Sequence, residues 1–460
     1  MTLKTHRIGI LLLLALCAGP AVAHVSEGGF VLLLPTGVYT VAGVASVALT
    51  ALLLILVPTE RAEEVFSAPP LVRLPRVPVR YLTSSASFLM LCLLIWVGLT
   101  GPRDPLTNPL PLTIWTVWWI GLVAIQGLFF DLWRWINPWA GPVALLRHIG
   151  PRRRPRLPFG HGIGIASFLA LCALIMVDPA PSDPARLAWF LMVYLTTTLI
   201  GITLFGPRWL YRAEAVGMLM RSYGRVRILG KRRGRLAGGL PGWQVLHAHT
   251  APLGLGLFAL ILLGGGSFDG LNETFWWFDL IGINPLAFPG RSAVIFENLT
   301  GLLVANAALL TAFALTLLFG LRLIRAKGLV RAMRIFAPSL LPIALGYHIA
   351  HYLTAFLVDG QYALAALNDP LSRGNDLLGM GQFYVTTGFF NTQGTVRIIW
   401  LSQAGAVVIG HILAILLAHA LAVRHYGTAR RAVLLQAPLA VFMVFYTLFG
   451  LWLLASPRGA

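Results

Sequence analysis

Long apolar runs alternate along the chain with short intervals rich in Arg, Pro, Gly and aromatic residues, and the runs recur at a length that suits a bilayer. A helix needs about 20 mostly apolar residues to cross ~30 Å of hydrocarbon. Ten runs meet that pattern, near 37–57, 84–100, 112–130, 160–177, 188–205, 251–266, 299–320, 336–358, 398–423 and 434–455. They predict an all-α, polytopic integral membrane protein of ten transmembrane helices in one domain, 24–460. No internal repeat of the inverted kind is visible, and no interval is long enough to fold as a separate soluble domain.

The first 23 residues read as a secretory signal. Lys4 and Arg7 supply a basic start, IGILLLLALCAG an apolar core, and Ala21-Val22-Ala23 a small-residue cleavage site. The apolar core alone is too short to span. Removal after Ala23 would leave His24 as the mature N-terminus, outside the membrane; an uncleaved anchor would add one helix.

Composition agrees with the pattern. The chain has 460 residues, 57% hydrophobic and 11% charged, against about 25% charged in soluble domains. The formal charge of +19 is first read against the positive-inside rule. With the mature N-terminus outside, the inner loops hold 27 of the 35 basic residues and five of the 16 acids. That sorting depends on the spans being nearly right, since moving one boundary pair swaps every later loop, and it puts both mature termini outside. The basic run Arg221 to Arg235 therefore suits anionic lipid head groups at the inner face and not nucleic acid. Cys17 leaves with the signal, and Cys92 and Cys172 lie inside apolar runs, so no disulfide framework or thiolate metal site is expected.

The interval 266–299, with Asp269, Glu273, Asp279 and Glu297, is expected as an outer loop carrying an interfacial FWWF helix. The interval 359–397 is expected as a second long outer loop. Asp131, at the inner end of the third run, is expected to pair with Arg134 or to cap a turn.

Four histidines stand out because ionisable side chains at membrane depth are costly and tend to mark function. His348 and His351 share a helical face in the eighth run; His411 and His419 share a face in the ninth. His411 lies about 16 Å inside Trp400 at 1.5 Å per residue, at a depth similar to that of His348. Three specific readings follow. His348, His351 and His411 would form a site for Zn, Cu or Fe in the outer half of the bundle, with Asp359 steering cations toward it. His348 and His411 would instead be axial ligands of a haem. Or His351, His348, His411 and His419 would form a proton path. The plainer alternative is that each imidazole makes one hydrogen bond to a neighbouring helix, in a structural subunit without a cofactor. His24, freed by cleavage, would add a copper ligand through its α-amine and ring.

Several stretches resemble a family of bacterial polytopic membrane proteins that carries the automatic name fenitrothion hydrolase. They are SEGGFVLLLPTGVY after the signal, DLWRWINPW, SFDGLNETFWW, YHIAHYLTAFLVDGQYALAALNDPLSRGNDLLG and GHILAILLAHALAV. The resemblance implies a bacterial inner membrane location and attack on an organophosphate ester. That chemistry wants an activated water, usually metal-bound, which His348, His351, His411 and Asp359 would supply; alternatively the name describes an incidental activity or the role of a partner subunit.

Overall fold

The computed structural model describes residues 31, 33–56, 59–73, 79–146, 155–287, 290–381 and 383–458. The signal, its cleavage site and His24 lie outside them. Each of the ten apolar runs carries a helix: α1 Thr36–Leu53, α2 Arg80–Thr100, α3 Pro109–Leu128, α4 Gly162–Val177, α5 Pro184–Phe205, α6 Leu253–Leu271, α7 Ile295–Leu323, α8 Leu341–Asn368, α9 Gln393–Tyr426 and α10 Ala429–Ala455. Among the described residues, nine helices are long and apolar enough to cross a membrane. The tenth, α4, has 16 residues, about 24 Å of helix.

Helices α6, α8 and α9 sit at the centre. The main core runs through Phe258, Leu302, Phe313, Leu345, Ile415 and Leu439, all buried. Around it α1, α2, α5, α7 and α10 turn Leu49, Leu89, Val193, Phe319 and Phe445 outward, the apolar exterior that lipid would cover. Helices α2 and α5 share a small core of their own at Ile95, Leu187 and Ala188.

Contacts between loops fix which intervals share an end of the bundle. At the basic end a three-stranded antiparallel sheet joins β1 Pro70–Arg73, from the α1–α2 interval, to β2 Leu229–Arg232 and β3 Arg235–Gly238, from the α5–α6 interval. Arg233 and Gly234 turn the hairpin, both with positive φ (49° and 80°), the conformation that two-residue hairpin loops require. Arg334 Nε donates to the Ala251 carbonyl (2.9 Å) and Arg424 Nη1 to that of Leu246 (2.6 Å), bringing two more basic intervals to this end. At the opposite end Arg103 pairs with Asp183 at 3.0 Å, Arg291 Nη1 donates to the Ile175 carbonyl at 2.6 Å, and Arg458 meets Glu273 at 3.5 Å. Short as it is, α4 runs from one end to the other: His161 at its start lies against Gly254, while Ile175 near its finish meets Arg291.

Two expected loops are partly helix. The Gly264-Gly265-Gly266 run does not end α6, because these glycines sit where neighbours come close. A Cβ on Gly264 would stand 2.5 Å from Asn306 Oδ1, and one on Gly265 would stand 3.2 Å from Cys172 Sγ. Asp269 is therefore inside α6 and buried, not in an outer loop. Likewise α8 continues through Asp359 to Asn368, and the chain returning along it is pinned by Gln361, whose amide exchanges hydrogen bonds with the Thr386 backbone at 2.9 and 3.0 Å. Asp131 accepts from the Arg134 amide (3.3 Å) and lies 3.8 Å from the Arg227 guanidinium, so it caps a turn and its nearest side-chain cation is Arg227, not Arg134. The FWWF segment forms the short helix Phe275–Leu280, with Trp277 and Phe278 buried and Trp276 exposed.

Candidate functional site

The polar centre of the bundle is built on α6 and α8. Asp269 of α6 and His351 of α8 face each other, with Nε2 to Oδ2 at 3.1 Å and both side chains under 10% exposed. Tyr352, next in sequence, donates its hydroxyl to the same Oδ2. Adjacent residues on a helix point about 100° apart, so one carboxylate oxygen is held from two sides. His351 Nδ1 is buried and has no partner among the described residues. These groups line a cavity of about 30 Å³ shared with Trp119, Cys172, Tyr223 and His348. That is room for a water or two, and far too little for an organic substrate.

His348 belongs to the same cluster but is committed elsewhere. Helix α3 is wound as a π-helix from Leu112 to Leu122, and the Val123 amide reaches back five residues to the Trp118 carbonyl. Ordinary α-helical pairing resumes from Val123, so the change of register passes over the carbonyl of Trp119. His348 Nε2 donates to that carbonyl at 2.8 Å. The ring is packed between the Trp119 indole and the Tyr352 and Tyr223 rings, at centroid distances of 5.3, 4.9 and 5.9 Å.

The other imidazoles go their own ways. His411 Nδ1 donates to the Val407 carbonyl one turn back at 2.9 Å, and its ring lies 6.3 Å from that of Tyr446, whose hydroxyl meets Ser267 Oγ at 2.6 Å. His419 is hydrogen-bonded through Nδ1 to Gln436 Oε1 at 2.9 Å. Asp359 lies eight residues beyond His351, about 12 Å along the helix axis. The structure therefore pairs His351 with Asp269 and does not gather His348, His351, His411 and Asp359 into one site. Among the described residues no group of three or more His, Cys, Asp or Glu side chains is placed to hold a metal ion. Two converging donors fall short of the three or four protein ligands that zinc sites use. The row of four histidines expected for a proton path is not continuous either, since His348 and His419 each spend a nitrogen on a different helix.

Sequence reasoning missed Asp269 as a partner because the expected sixth run stops at residue 266 and leaves Asp269 in the loop after it. The signal that would have placed it is the spacing: it lies 16 residues into an apolar stretch that starts at Leu253, well within the length of one helix.

A second buried carboxylate lies at the basic end. Glu214 caps the helix Ala215–Tyr223, accepting from the amides of Val216 and Gly217 at 2.7 Å each and from the Tyr194 hydroxyl at 2.5 Å. Burial pushes this carboxyl up, against the lowering effect of those donors and of Arg221. It borders an apolar cavity of about 720 Å³ between the α2–α5 pair and the main core.

The fold and site define a polytopic helical membrane protein with a buried Asp–His–Tyr cluster. No protein-family model, no curated protein and no solved structure matches the chain.

Proposed function

We propose that the protein is an ion-handling component of a bacterial inner membrane, and that the ion it handles at Asp269 and His351 is the proton. The observation that carries this is the pairing of a carboxylate with an imidazole inside a helical membrane bundle, beside a cavity of water size. A lone charge at that depth is expensive, whereas a hydrogen-bonded pair of opposite charges offsets much of the cost. With Nε2–H directed at Asp269, the free Nδ1 is the atom that takes up or gives back a proton from the cavity. In the protonated state the Asp269 carboxylate, held in place also by the Tyr352 hydroxyl, offsets the imidazolium charge; in the neutral state the imidazole remains oriented by the same bond.

The finer topology belongs to the same reading. Ten crossings, a cleaved signal and both mature termini outside put the sheet and the Arg221–Arg235 segment at the cytoplasmic face, against anionic lipids. The organophosphate hydrolase implied by the family resemblance, and the Zn, Cu or Fe it would use, have less support: the donor set stops at two, and the cavity beside it does not admit an ester. The haem reading needs His348 and His411 to face one iron, whereas the His348 ring is enclosed by Trp119, Tyr223 and Tyr352 and the His411 ring lies beside Tyr446.

The test is proton movement in proteoliposomes carrying a pH gradient and an internal pH-sensitive dye. The wild-type protein should dissipate the gradient, Asp269→Asn should abolish that flux, and His411→Ala should leave it unchanged. Equal rates in wild type and Asp269→Asn sink the proposal. Turnover of a phosphotriester by the same vesicles, lost in Asp269→Asn, would put the hydrolase reading in its place.

A further inference from the structure

A second cavity, of about 340 Å³, opens between α1 and α10, and α9 contributes only His419 to it. Its walls follow from helical spacing. Residues 48, 51, 52 and 55 fall on one face of α1 and the turn after it; residues 433, 436, 437, 440, 441 and 444 fall on one face of α10. Ala48, Ala51, Ala437 and Ala440 keep both faces shallow, so a recess remains where larger side chains would interlock. Its rim is made of Leu52, Ile55, Val441 and Phe445, all exposed on the apolar exterior of the bundle. A ligand would therefore enter sideways, from the bilayer.

Two polar residues, His419 and Gln436, line this recess, and their hydrogen bonds give one ring nitrogen of His419 a defined character. Gln436 Nε2 donates to the Ile415 carbonyl at 2.9 Å, which fixes the amide with Oε1 toward His419. An amide oxygen only accepts, so His419 Nδ1 carries the hydrogen. In the neutral ring Nε2 is then a bare acceptor. It is buried, His419 being 2% exposed, and it has no partner among the described residues. The remaining lining is Ala, Val, Leu, Ile and Phe.

We propose that this recess binds a lipid alcohol from the bilayer: an apolar body carrying one hydroxyl, which donates to His419 Nε2. The volume lies within the ~300–1,000 Å³ of small-molecule sites. A ligand whose polar group only accepts, such as a ketone or a triester, sets lone pair against lone pair. An anionic or cationic head group meets no opposite charge in the lining. A plain hydrocarbon chain fills the space and leaves the buried acceptor unpaired.

The experiment uses full-length protein with ¹⁵N-labelled histidine in phosphatidylcholine nanodiscs, with 1-dodecanol and dodecane as matched probes. Dodecanol should move the His419 Nε2 resonance to the position of a hydrogen-bonded acceptor while Nδ1 stays put, and dodecane should move neither. Ala440→Leu, which fills the recess from its wall without touching the His419–Gln436 bond, should lose the response to dodecanol. A resonance unmoved by dodecanol, moved equally by dodecane, or still responsive in Ala440→Leu overturns the proposal.

Discussion

Asp269 Oδ2 receives the His351 ring and the Tyr352 hydroxyl together, so the cluster is a three-member unit whose energetics are not the sum of its pairs. Removing one partner leaves a buried charge uncompensated, typically at 3–5 kcal/mol, while replacing the pair by apolar residues is often close to neutral. His351→Leu should therefore destabilise the folded protein by roughly 3–5 kcal/mol, and Asp269→Leu/His351→Leu should recover most of that loss. Chemical unfolding of the four members of the cycle in one detergent measures the coupling; a double variant as unstable as the sum of the singles argues against a coupled pair. Glu214 gives a second residue-level expectation, with its sign fixed by burial. Because burial raises its pKa in the fold, the folded protein keeps a proton that the unfolded chain releases above about pH 4.3. The stability from this group is complete below that pH and is lost as pH rises through the folded value, with a slope of at most about 1.4 kcal/mol per pH unit. Glu214→Gln should flatten that limb of the stability–pH curve, measured by thermal unfolding between pH 4 and 8.

At the scale of single helices, the membrane makes location easy to read and extent hard. Every apolar run carries a helix, because hydrocarbon leaves backbone groups no partner outside the helix itself. The ends are another matter. The expected sixth run ends at its glycines, where Asn306 and Cys172 in fact press close and the helix continues, and the polar residues from Asp359 to Asn368 read as loop although α8 simply continues into the interface. That is why His348 and His351 were legible and Asp269 was not: the histidines sit inside an obvious run, whereas their partner's helix had been cut short. The role of His348 was illegible for a different reason. Nothing in LTIWTVWWIGL announces a π-helix, so the passed-over carbonyl of Trp119 is visible only in three dimensions. If His348 is there to satisfy that carbonyl, His348→Leu should cost about 1–3 kcal/mol and speed hydrogen exchange of the amides from Val123 onward. Unchanged exchange in the variant would show that the π-to-α junction holds without the imidazole.

For the molecule as a whole, the contacts between loops impose a parity on the crossings. Strand β1 precedes α2, and β2 and β3 follow α5, yet all three pair in one sheet. An even number of crossings must separate them, and α2, α3, α4 and α5 supply four only if the 16-residue α4 also crosses. The pairing of Glu273 with Arg458 repeats the argument for α7 to α10. Charge then orients the bundle: Arg225, Arg227, Lys231, Arg232 and Arg235 gather at the sheet end, while Asp104, Asp183, Glu273, Asp369 and Asp376 lie at the other. Basic loops stay in the cytoplasm, so the sheet end should be inside. In a background lacking Cys17, Cys92 and Cys172, a membrane-impermeant maleimide applied to intact spheroplasts should label Arg103→Cys and Leu377→Cys. It should reach Arg134→Cys and Lys231→Cys only after permeabilisation. Labelling of Arg134→Cys and Lys231→Cys from opposite sides would mean that α4 turns back within the membrane, and the sheet, the parity and the ten-crossing topology would fail together, leaving the Asp269–His351 pair to be judged by proton flux alone.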